Sequence, residues 1–300
     1  MNVNKKILIT GSNGLLGQKL VKLLMLDEKT QFLATSHGNN RNSKLSDANY
    51  ATLDITDEHQ VTQLLEEYKP TVVINTAAMT NVDLCESKKE ECWRINVDAV
   101  SYLISACENI NSHLIHLSTD FVFDGKNGPY KEEDSPNPLS YYGESKRAAE
   151  MLLQKSNLSN WSIVRTIIVY GIGENLSRSN IVLWAKSALE KGDPLTIVDD
   201  QFRSPTYADD LAKGCLLISD KKANGIFHIS GKDVMSILEL VKRVANFYNL
   251  DASKITAIKS DSLNQAAKRP PITGFILDKA ITELNYNPLS FEEGLSELEL

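Results

Sequence analysis

The chain has 300 residues, of which 42% are hydrophobic and 24% are charged, and its formal net charge is −7. This composition is typical of a globular protein with a sizeable core, and the length predicts two domains or one large domain with an appendage. The acidic balance argues against a nucleic-acid-binding protein, and the short apolar runs predict no membrane span.

In the first half, short apolar runs alternate with helical patterns. Strands are predicted at 5–10, 31–36, 50–54, 72–75, 113–118 and 162–169, and helices at 14–26, 57–68, 90–109 and around Tyr142. Strands that alternate with helices are typical of βαβ units. We therefore predict an α/β fold, a doubly wound parallel sheet with helices on both faces.

Beyond Gly171 the pattern loosens. Strands are predicted at 195–198 and 225–229, and helices at 181–191, 207–219, 235–248 and 290–298. We assign residues 1–170 to the first domain, with part of 205–225 returning to it. Residues 171–300 are predicted to form a smaller α+β lobe that binds the substrate.

A glycine-rich loop follows the first predicted strand and opens the first predicted helix. Gly11, Gly14 and Gly17 have the spacing G-x-x-G-x-x-G, a variant of the dinucleotide-binding fingerprint. A helix N-terminus at this point offers free N–H groups to a pyrophosphate. We predict a Rossmann-like cofactor site that includes Gly11, Ser12, Asn13, Gly14, Leu15, Leu16 and Gly17.

The end of the second strand is where NAD-dependent proteins usually carry an acid for the ribose 2′-hydroxyl. Ser36, His37 and Arg41 stand there instead, and they suit a 2′-phosphate. This favours NADP(H), with NAD(H) left open. Further cofactor contacts are predicted at later strand ends, with Asp54 and Ile55 beside the adenine and Ala77 and Ala78 beside the nicotinamide ribose.

Three polar residues form a candidate catalytic set. Thr119 ends the fifth strand, where open α/β sheets bind ligands. Tyr142 and Lys146 lie four residues apart, which places them on one face of a helix. A neighbouring ammonium group favours a phenolate, so we expect Lys146 to lower the pKa of Tyr142.

Together with the glycine loop, these residues resemble the extended branch of the short-chain dehydrogenase/reductase superfamily. Within that branch the chain is similar to the dTDP-4-dehydrorhamnose reductase family. The segments that carry the likeness are 74–83, 118–125, 129–134, 138–146, 164–166, 200–206 and Arg269-Pro270.

The resemblance implies that the protein reduces a nucleotide-linked 4-keto sugar. Tyr142 would donate a proton to the keto oxygen, Lys146 would bind the nicotinamide ribose, and Thr119 would hydrogen-bond the keto oxygen or the phenol. The residues that it places beside the substrate are Thr119, Asp120, Val82, Ile168, Gln201, Arg203 and Arg269.

Two departures from the family are visible. Ile168 stands where the family often has a tryptophan packed against the sugar. Gln18 and Lys19 follow Gly17, where some members carry a glutamate that helps to hold a divalent metal. The four cysteines form no CxxC pair and the five histidines have no ligand spacing, so no metal site is predicted.

A 4,6-dehydratase would need a second acid after Asp120, and Phe121 stands there instead, which weighs against dehydration. Three other readings stay open, one of which is another extended short-chain oxidoreductase. An NAD-dependent nucleotide-sugar 4-epimerase would use the same Tyr142 and Lys146. A non-catalytic NADP-binding regulatory subunit, like the β subunit of methionine adenosyltransferase, would keep much of the same motif set. The predicted location is the cytoplasm, since no signal peptide is recognised, and a homodimer is left open.

Overall fold

The computed structural model describes residues 5–298. The strands are β1 (Lys6–Thr10), β2 (Gln31–Ser36), β3 (Tyr50–Thr52), β4 (Val72–Asn75), β5 (His113–Thr119), β6 (Trp161–Thr166), β7 (Val169–Tyr170), β8 (Leu195–Val198), β9 (Phe202–Arg203), β10 (Thr206–Tyr207), β11 (Gly225–His228), β12 (Met235–Ser236) and β13 (Ile255–Ile258). The helices are α1 (Leu15–Met25), α2 (Glu58–Tyr68), α3 (Val82–Ser87), α4 (Lys89–Trp93), α5 (Ala99–Ile110), α6 (Tyr141–Lys155), α7 (Ile181–Glu190), α8 (Ala208–Lys221), α9 (Ile237–Phe247), α10 (Asp278–Leu284) and α11 (Phe291–Ser296).

Seven strands form one parallel sheet in the order β11-β6-β5-β4-β1-β2-β3. The chain first builds outward from β1 to β3 and then crosses to β4 on the other side. At such a switch point the connections leave in opposite directions and open a crevice beyond the strand ends. The predicted α/β parallel sheet is confirmed, and its crevice lies at the ends of β1 and β4.

Both faces of the sheet are covered, because side chains of a strand alternate between its faces. Ile7 and Ile9 join a core with Leu211 of α8, whereas Leu8 joins a second core with Leu103 of α5. Continuous apolar strands such as β1 and β4 are expected where both faces are buried. The helices that cover these faces are α1, α8 and α10 on one side and α2, α5 and α6 on the other.

A smaller lobe has its own core, built around α7, α9, α11 and β8. Three two-stranded pairings accompany it: β7 with β10, β9 with β12, and β8 with β13. Among residues 5–298, no helix combines the length and apolarity that a bilayer crossing needs.

Two predicted strands differ from the structure. The strand predicted at 162–169 ends at Thr166, because Ile168 has φ +30° and cannot continue an extended strand. The strand predicted at 225–229 was placed in the smaller lobe, but β11 is the edge strand of the main sheet and pairs with β6. Helix α8 packs on α1, on one face of the main sheet.

The predicted helix at 90–109 is interrupted. A π-helical turn at Arg94–Asp98 joins α4 to α5. The elements that the sequence analysis did not predict are short: α3, α10, β7, β9, β10, β12 and β13. Elements of two to seven residues span too few repeats for hydrophobic periodicity to identify them.

Candidate active site

A cavity of about 780 Å³ opens at the carboxyl edge of the main sheet, between the sheet and the smaller lobe. The sequence-predicted residues in its walls are Asn13, Gly14, Leu15, Leu16, Gly17, Ser36, His37, Arg41, Ala78, Val82, Thr119, Asp120, Tyr142, Lys146, Ile168, Gln201, Arg203 and Arg269. A single cavity therefore joins the predicted cofactor, catalytic and substrate residues.

The glycine loop forms one end of this cavity. Gly14 precedes α1 in an extended conformation with no side-chain cap, so the first N–H groups of α1 stay available to a ligand. A Cβ atom on Gly17 would lie 2.5 Å from the Cα atom of Ser12, so the helix could not approach the loop this closely with another residue. The buried hydroxyl of Ser12 has no hydrogen-bond partner among residues 5–298. These features fit a dinucleotide phosphate group.

Five predicted cofactor residues lie outside the cavity walls. Gly11 (φ +70°) and Ala77 pack closely against each other behind the loop, and a Cβ atom on Gly11 would lie only 2.7 Å from the Ala77 nitrogen. Ser12 is buried within the loop itself. The Asp54 carboxylate accepts bonds from the backbone and hydroxyl of Thr56, and the Ile55 side chain packs into the core beneath α2 and α5.

Arg41 is held at the rim by the glycine loop. The Asn13 side chain accepts a 2.9 Å hydrogen bond from the Arg41 backbone and donates one of 2.9 Å to the Asn39 carbonyl. Asn13 therefore fixes the path of the loop after β2, and this path brings Ser36, His37 and Arg41 into the same wall.

The helix that carries Tyr142 and Lys146 begins at the cavity. Ser140 caps α6 by accepting a 3.3 Å hydrogen bond from the Gly143 backbone. Tyr142 is 8% exposed, Lys146 is 2% exposed and Thr119 is 6% exposed. Phe121 packs edge-on against the Tyr142 ring, with centroids 5.8 Å apart. The three predicted catalytic side chains thus line the same cavity and are all largely buried.

Burial dominates the acid–base properties of this set. It raises the pKa of Tyr142 above the usual value, the Asp120 charge acts in the same direction, and the Thr119 hydroxyl opposes both. The expected lowering of the Tyr142 pKa is therefore not found, because burial shifts the pKa in the opposite direction. Burial also lowers the pKa of Lys146 to about 8, against the opposing charge of Glu150. Tyr142 is consequently a neutral phenol, a proton donor rather than a phenolate.

Asp120 and Arg203 are buried in the cavity wall, where their side chains bond each other and their neighbours. Asp120 accepts a hydrogen bond from Thr273, and its carboxylate lies 3.6 Å from Nε of Arg203. The Arg203 guanidinium also donates to the backbone carbonyls of Phe202, Pro270 and Pro271. Burial raises the pKa of Asp120, although Arg203 and Thr273 act in the opposite direction. Arg203 therefore has little donor capacity left for a diphosphate.

Arg269 spans the mouth of the cavity. Its two terminal nitrogens bond the Asp83 carboxylate at 3.2 and 2.6 Å, so the loop between β13 and α10 is tied to α3. Val82 precedes Asp83 on α3 and also faces the cavity, as do Gln201 and Ile168 from the other side. The side chain of Arg269 is 18% exposed and keeps contact with water.

The sequence analysis missed a group of cavity residues, most of which are polar. The loop between β7 and α7 contributes Leu176, Ser177, Arg178, Ser179 and Asn180, and the loop after β4 contributes Thr76 and Thr80. Arg178 donates a 2.9 Å hydrogen bond to Thr80 across the cavity. Arg178 stands among serines and asparagines in the sequence, and this was the one local indication of a binding loop. Nothing near it in the sequence indicated which strand end it would face.

Comparison with known proteins is consistent with this geometry. Residues 5–299 match the family described as RmlD substrate binding domain. The chain is 33% identical to a dTDP-4-dehydrorhamnose reductase of Aggregatibacter actinomycetemcomitans, over 98% of both chains. It is 31% identical to methionine adenosyltransferase 2 subunit beta of Danio rerio, over 89% of this chain and 81% of that protein.

Two solved structures show the same fold. One is a dTDP-4-dehydrorhamnose reductase from Clostridium acetobutylicum, with a TM-score of 0.85, 31% identity and 97% of each chain covered. The other is a dTDP-4-dehydrorhamnose reductase from Bacillus anthracis in complex with NADP, with a TM-score of 0.81, 26% identity and 99% of each chain covered. The Rossmann-like fold predicted from the sequence is thereby confirmed.

Proposed function

The chain belongs to the RmlD substrate binding domain family, and on that basis we propose that it is a nucleotide-sugar reductase that uses NADPH. Its substrate is the 4-keto group of a nucleoside-diphosphate-linked deoxysugar of the dTDP-4-dehydrorhamnose type. The observation that carries the proposal is the meeting of Tyr142, Thr119 and Lys146 with the glycine loop in one cavity.

The cofactor part of the proposal is supported by the fit of the site. The glycine loop and the start of α1 would hold the pyrophosphate, beside the Ser12 hydroxyl, which has no hydrogen-bond partner among residues 5–298. Ser36, His37 and Arg41 would receive the 2′-phosphate, since no carboxylate of the described residues lines the cavity beside them. The Bacillus anthracis relative in complex with NADP supports the same choice.

Bound NADPH supplies a hydride for the carbonyl carbon. Tyr142 donates its phenolic proton to the carbonyl oxygen, which becomes the new hydroxyl group. Thr119 holds that oxygen, and Lys146 binds the nicotinamide ribose. Because burial keeps the phenol protonated, the donor is ready when negative charge develops on the oxygen.

The substrate binds between the sheet and the smaller lobe. The sugar lies beside Thr119, Asp120 and Ile168, and the nucleotide extends towards Val82, Gln201 and Arg269. Arg269 is the better candidate for the diphosphate because its side chain is 18% exposed, whereas Arg203 is buried and donates to three carbonyls. To bind the diphosphate, Arg269 would exchange part of its bonding to Asp83 and to the Ala267 carbonyl. The location in the cytoplasm and the homodimer stay predictions of the sequence.

The test is NADPH oxidation with a panel of nucleoside-diphosphate 4-keto sugars. Tyr142→Phe should lower kcat about 100-fold or more while cofactor affinity stays similar, since only the proton donor is removed. Tyr141→Phe is the matched control, because Tyr141 packs on Trp93 outside the cavity walls and should keep full activity. Normal turnover by Tyr142→Phe would show that the proton donor is misassigned.

The relative among methionine adenosyltransferase beta subunits keeps the regulatory reading as the second candidate. A regulatory subunit would bind NADP tightly without oxidising NADPH in the presence of any 4-keto sugar. An epimerase would instead purify with bound NAD and interconvert two nucleotide sugars without net NADPH consumption. The panel experiment separates the reductase from both alternatives, and the cofactor that copurifies with the protein separates the epimerase from the regulatory subunit.

A further inference from the structure

A chain of buried polar side chains runs from Lys146 away from the cavity. The Nζ atom of Lys146 lies 3.2 Å from Nε2 of His116, and Nδ1 of His116 lies 3.0 Å from the Asn75 amide nitrogen. The Asn75 amide oxygen accepts a 2.6 Å hydrogen bond from the Thr10 hydroxyl. His116, Asn75 and Thr10 are fully buried.

The chain crosses three neighbouring strands. His116 lies on β5, Asn75 ends β4 and Thr10 ends β1, and the parallel register pairs Asn75 with both of the others. Thr10 directly precedes Gly11, and its backbone carbonyl accepts a 2.7 Å hydrogen bond from the Thr76 hydroxyl. The lysine is thus connected through side chains to the start of the glycine loop.

Hydrogen-bond direction in this chain depends on the proton of Lys146. A charged ammonium group can only donate, so His116 must accept at Nε2 and carry its proton on Nδ1. The Asn75 amide must then turn over, so that its oxygen rather than its nitrogen faces Nδ1. A neutral amine can accept, so His116 can carry its proton on Nε2 and accept from the Asn75 nitrogen at Nδ1. The amide of Asn75 and the hydroxyl of Thr10 can serve both arrangements, because each group has donors and acceptors.

The surroundings leave His116 as the polar partner of the lysine on the sheet side. Around Lys146, Glu150 and Tyr142 lie on α6 and Cys92 on α4, and the Glu150 charge is already paired with Arg165. Burial, reinforced by the charge of Lys146, holds the pKa of His116 well below its usual value, so the ring is neutral. With the pKa of Lys146 near 8, both directions of the chain are accessible close to neutral pH.

We propose that His116 is a positioning residue that holds the ammonium of Lys146, and that the His116–Asn75–Thr10 chain reverses its hydrogen-bond direction when Lys146 loses its proton. The consequence for catalysis rests on the proposed function, in which Lys146 binds the cofactor ribose. The reversal itself concerns only this chain's own residues.

The direct test follows the two ring nitrogens of His116 by ¹⁵N NMR in the full-length protein, between pH 6.5 and 10. The Nδ1-protonated tautomer should give way to the Nε2-protonated tautomer at the pH where the Lys146 Cε resonance titrates. That resonance is assigned by its loss in Lys146→Gln. A single His116 tautomer throughout the Lys146 titration would overturn the proposal.

Two matched variants test the positioning role. In His116→Asn the amide is too short to reach Lys146. The hydrogen bond that the charged ammonium donates to His116 is stronger than the one that the neutral amine accepts from it, so its loss favours the neutral amine. The titration midpoint of Lys146 should therefore fall by about one pH unit. In His116→Gln the longer amide reaches Nζ, and the midpoint should return towards the wild-type value. An unchanged midpoint in His116→Asn would contradict the assignment.

His113→Asn controls for the loss of a buried histidine from the same strand, since His113 bonds Ser162 away from the cavity. It should leave the Lys146 midpoint unchanged. In the NADPH oxidation assay, the alkaline limb of the pH profile should move to lower pH in His116→Asn alone. If no sugar is reduced, the proposed function fails while the NMR titration still decides the role of His116.

Discussion

At the scale of single residues, the Tyr142 phenol shows how burial can outweigh a charged neighbour. The one-turn spacing from Tyr142 to Lys146 is real, but the Lys146 ammonium is directed at His116 and both side chains are almost fully buried. The free energy needed to move a tyrosine phenolate or a lysine ammonium out of water is larger than the attraction between the two charges. A sequence pattern supplies the spacing of two groups, whereas their pKa values depend on everything packed around them.

The proposed position of the 2′-phosphate, against Ser36, His37 and Arg41, makes Arg41 the residue that should decide between NADPH and NADH. Arg41→Ala should raise the KM for NADPH about 10- to 100-fold, because a charge-assisted hydrogen bond to the phosphate is lost. The KM for NADH, which has no phosphate there, should change little. Steady-state kinetics with both cofactors measures the ratio.

Lys44→Ala is the control for this prediction, since Lys44 is an exposed cation three residues further along and lies outside the cavity walls. It should leave both KM values unchanged. An equal loss of affinity for NADPH and NADH in Arg41→Ala would place the arginine near the shared part of the cofactor instead.

At the scale of elements, a buried ion pair fixes α6 to the sheet. Both oxygens of Glu150 on α6 bond Arg165 on β6 at 2.8 Å, and Ser118 on β5 donates to the same carboxylate at 2.6 Å. Arg165 is 1% exposed and Glu150 is fully buried. This pair sets the position of the helix that carries Tyr142 and Lys146, so Arg165 supports the site without facing it.

Arg165→Met should lower the free energy of unfolding by about 3–5 kcal/mol, because it leaves the Glu150 charge buried without its main partner. Urea denaturation measures the change. Lys88→Met, which removes the exposed pair with Glu91, should cost less than about 0.5 kcal/mol. The double variant Glu150→Gln, Arg165→Met should recover part of the loss, and no recovery would mean that packing of the arginine dominates.

Sequence patterns predict the elements of the sheet well for a physical reason. Strands such as β1 and β4 are continuous apolar runs, and their helices have a full amphipathic face. The break after β6 was not predicted, since Ile167-Ile168-Val169 is an apolar, β-branched run and only the backbone at Ile168 departs from extended. Short pairings such as β9 with β12 depend on contacts between distant segments, which no local pattern records.

At the scale of the whole molecule, the cavity exists because distant segments meet across it. Arg178 bonds Thr80, Arg269 bonds Asp83, and the backbone of Glu174 is held by Gln18 of α1. The sequence identifies the glycine loop and the Tyr142 helix, because their spacing carries the signal locally. Arg178 and Thr80 acquire a role only when the smaller lobe lies over the strand ends.

Buried neutral histidines should make the whole fold sensitive to mild acid. Burial lowers the pKa of His113 to about 4, and burial likewise holds the pKa values of His116 and His228 well below the usual range. Between about pH 6.5 and 4 the unfolded chain therefore binds protons that the folded protein does not, so stability falls as the pH falls. Asp120, whose pKa burial raises, acts in the opposite direction close to its own titration.

Between pH 7.5 and pH 5, His113 alone should lower the free energy of unfolding by about 2 kcal/mol. The reason is that its pKa in the folded protein lies far below its value of about 6.5 in the unfolded chain. Urea denaturation at the two pH values gives the difference for each variant. His113→Asn should show a pH dependence that is smaller by this amount, whatever its absolute stability. His59→Asn, at an exposed position of α2, should keep the wild-type dependence. If His113→Asn is as acid-sensitive as the wild type, the proton that destabilises the fold binds elsewhere.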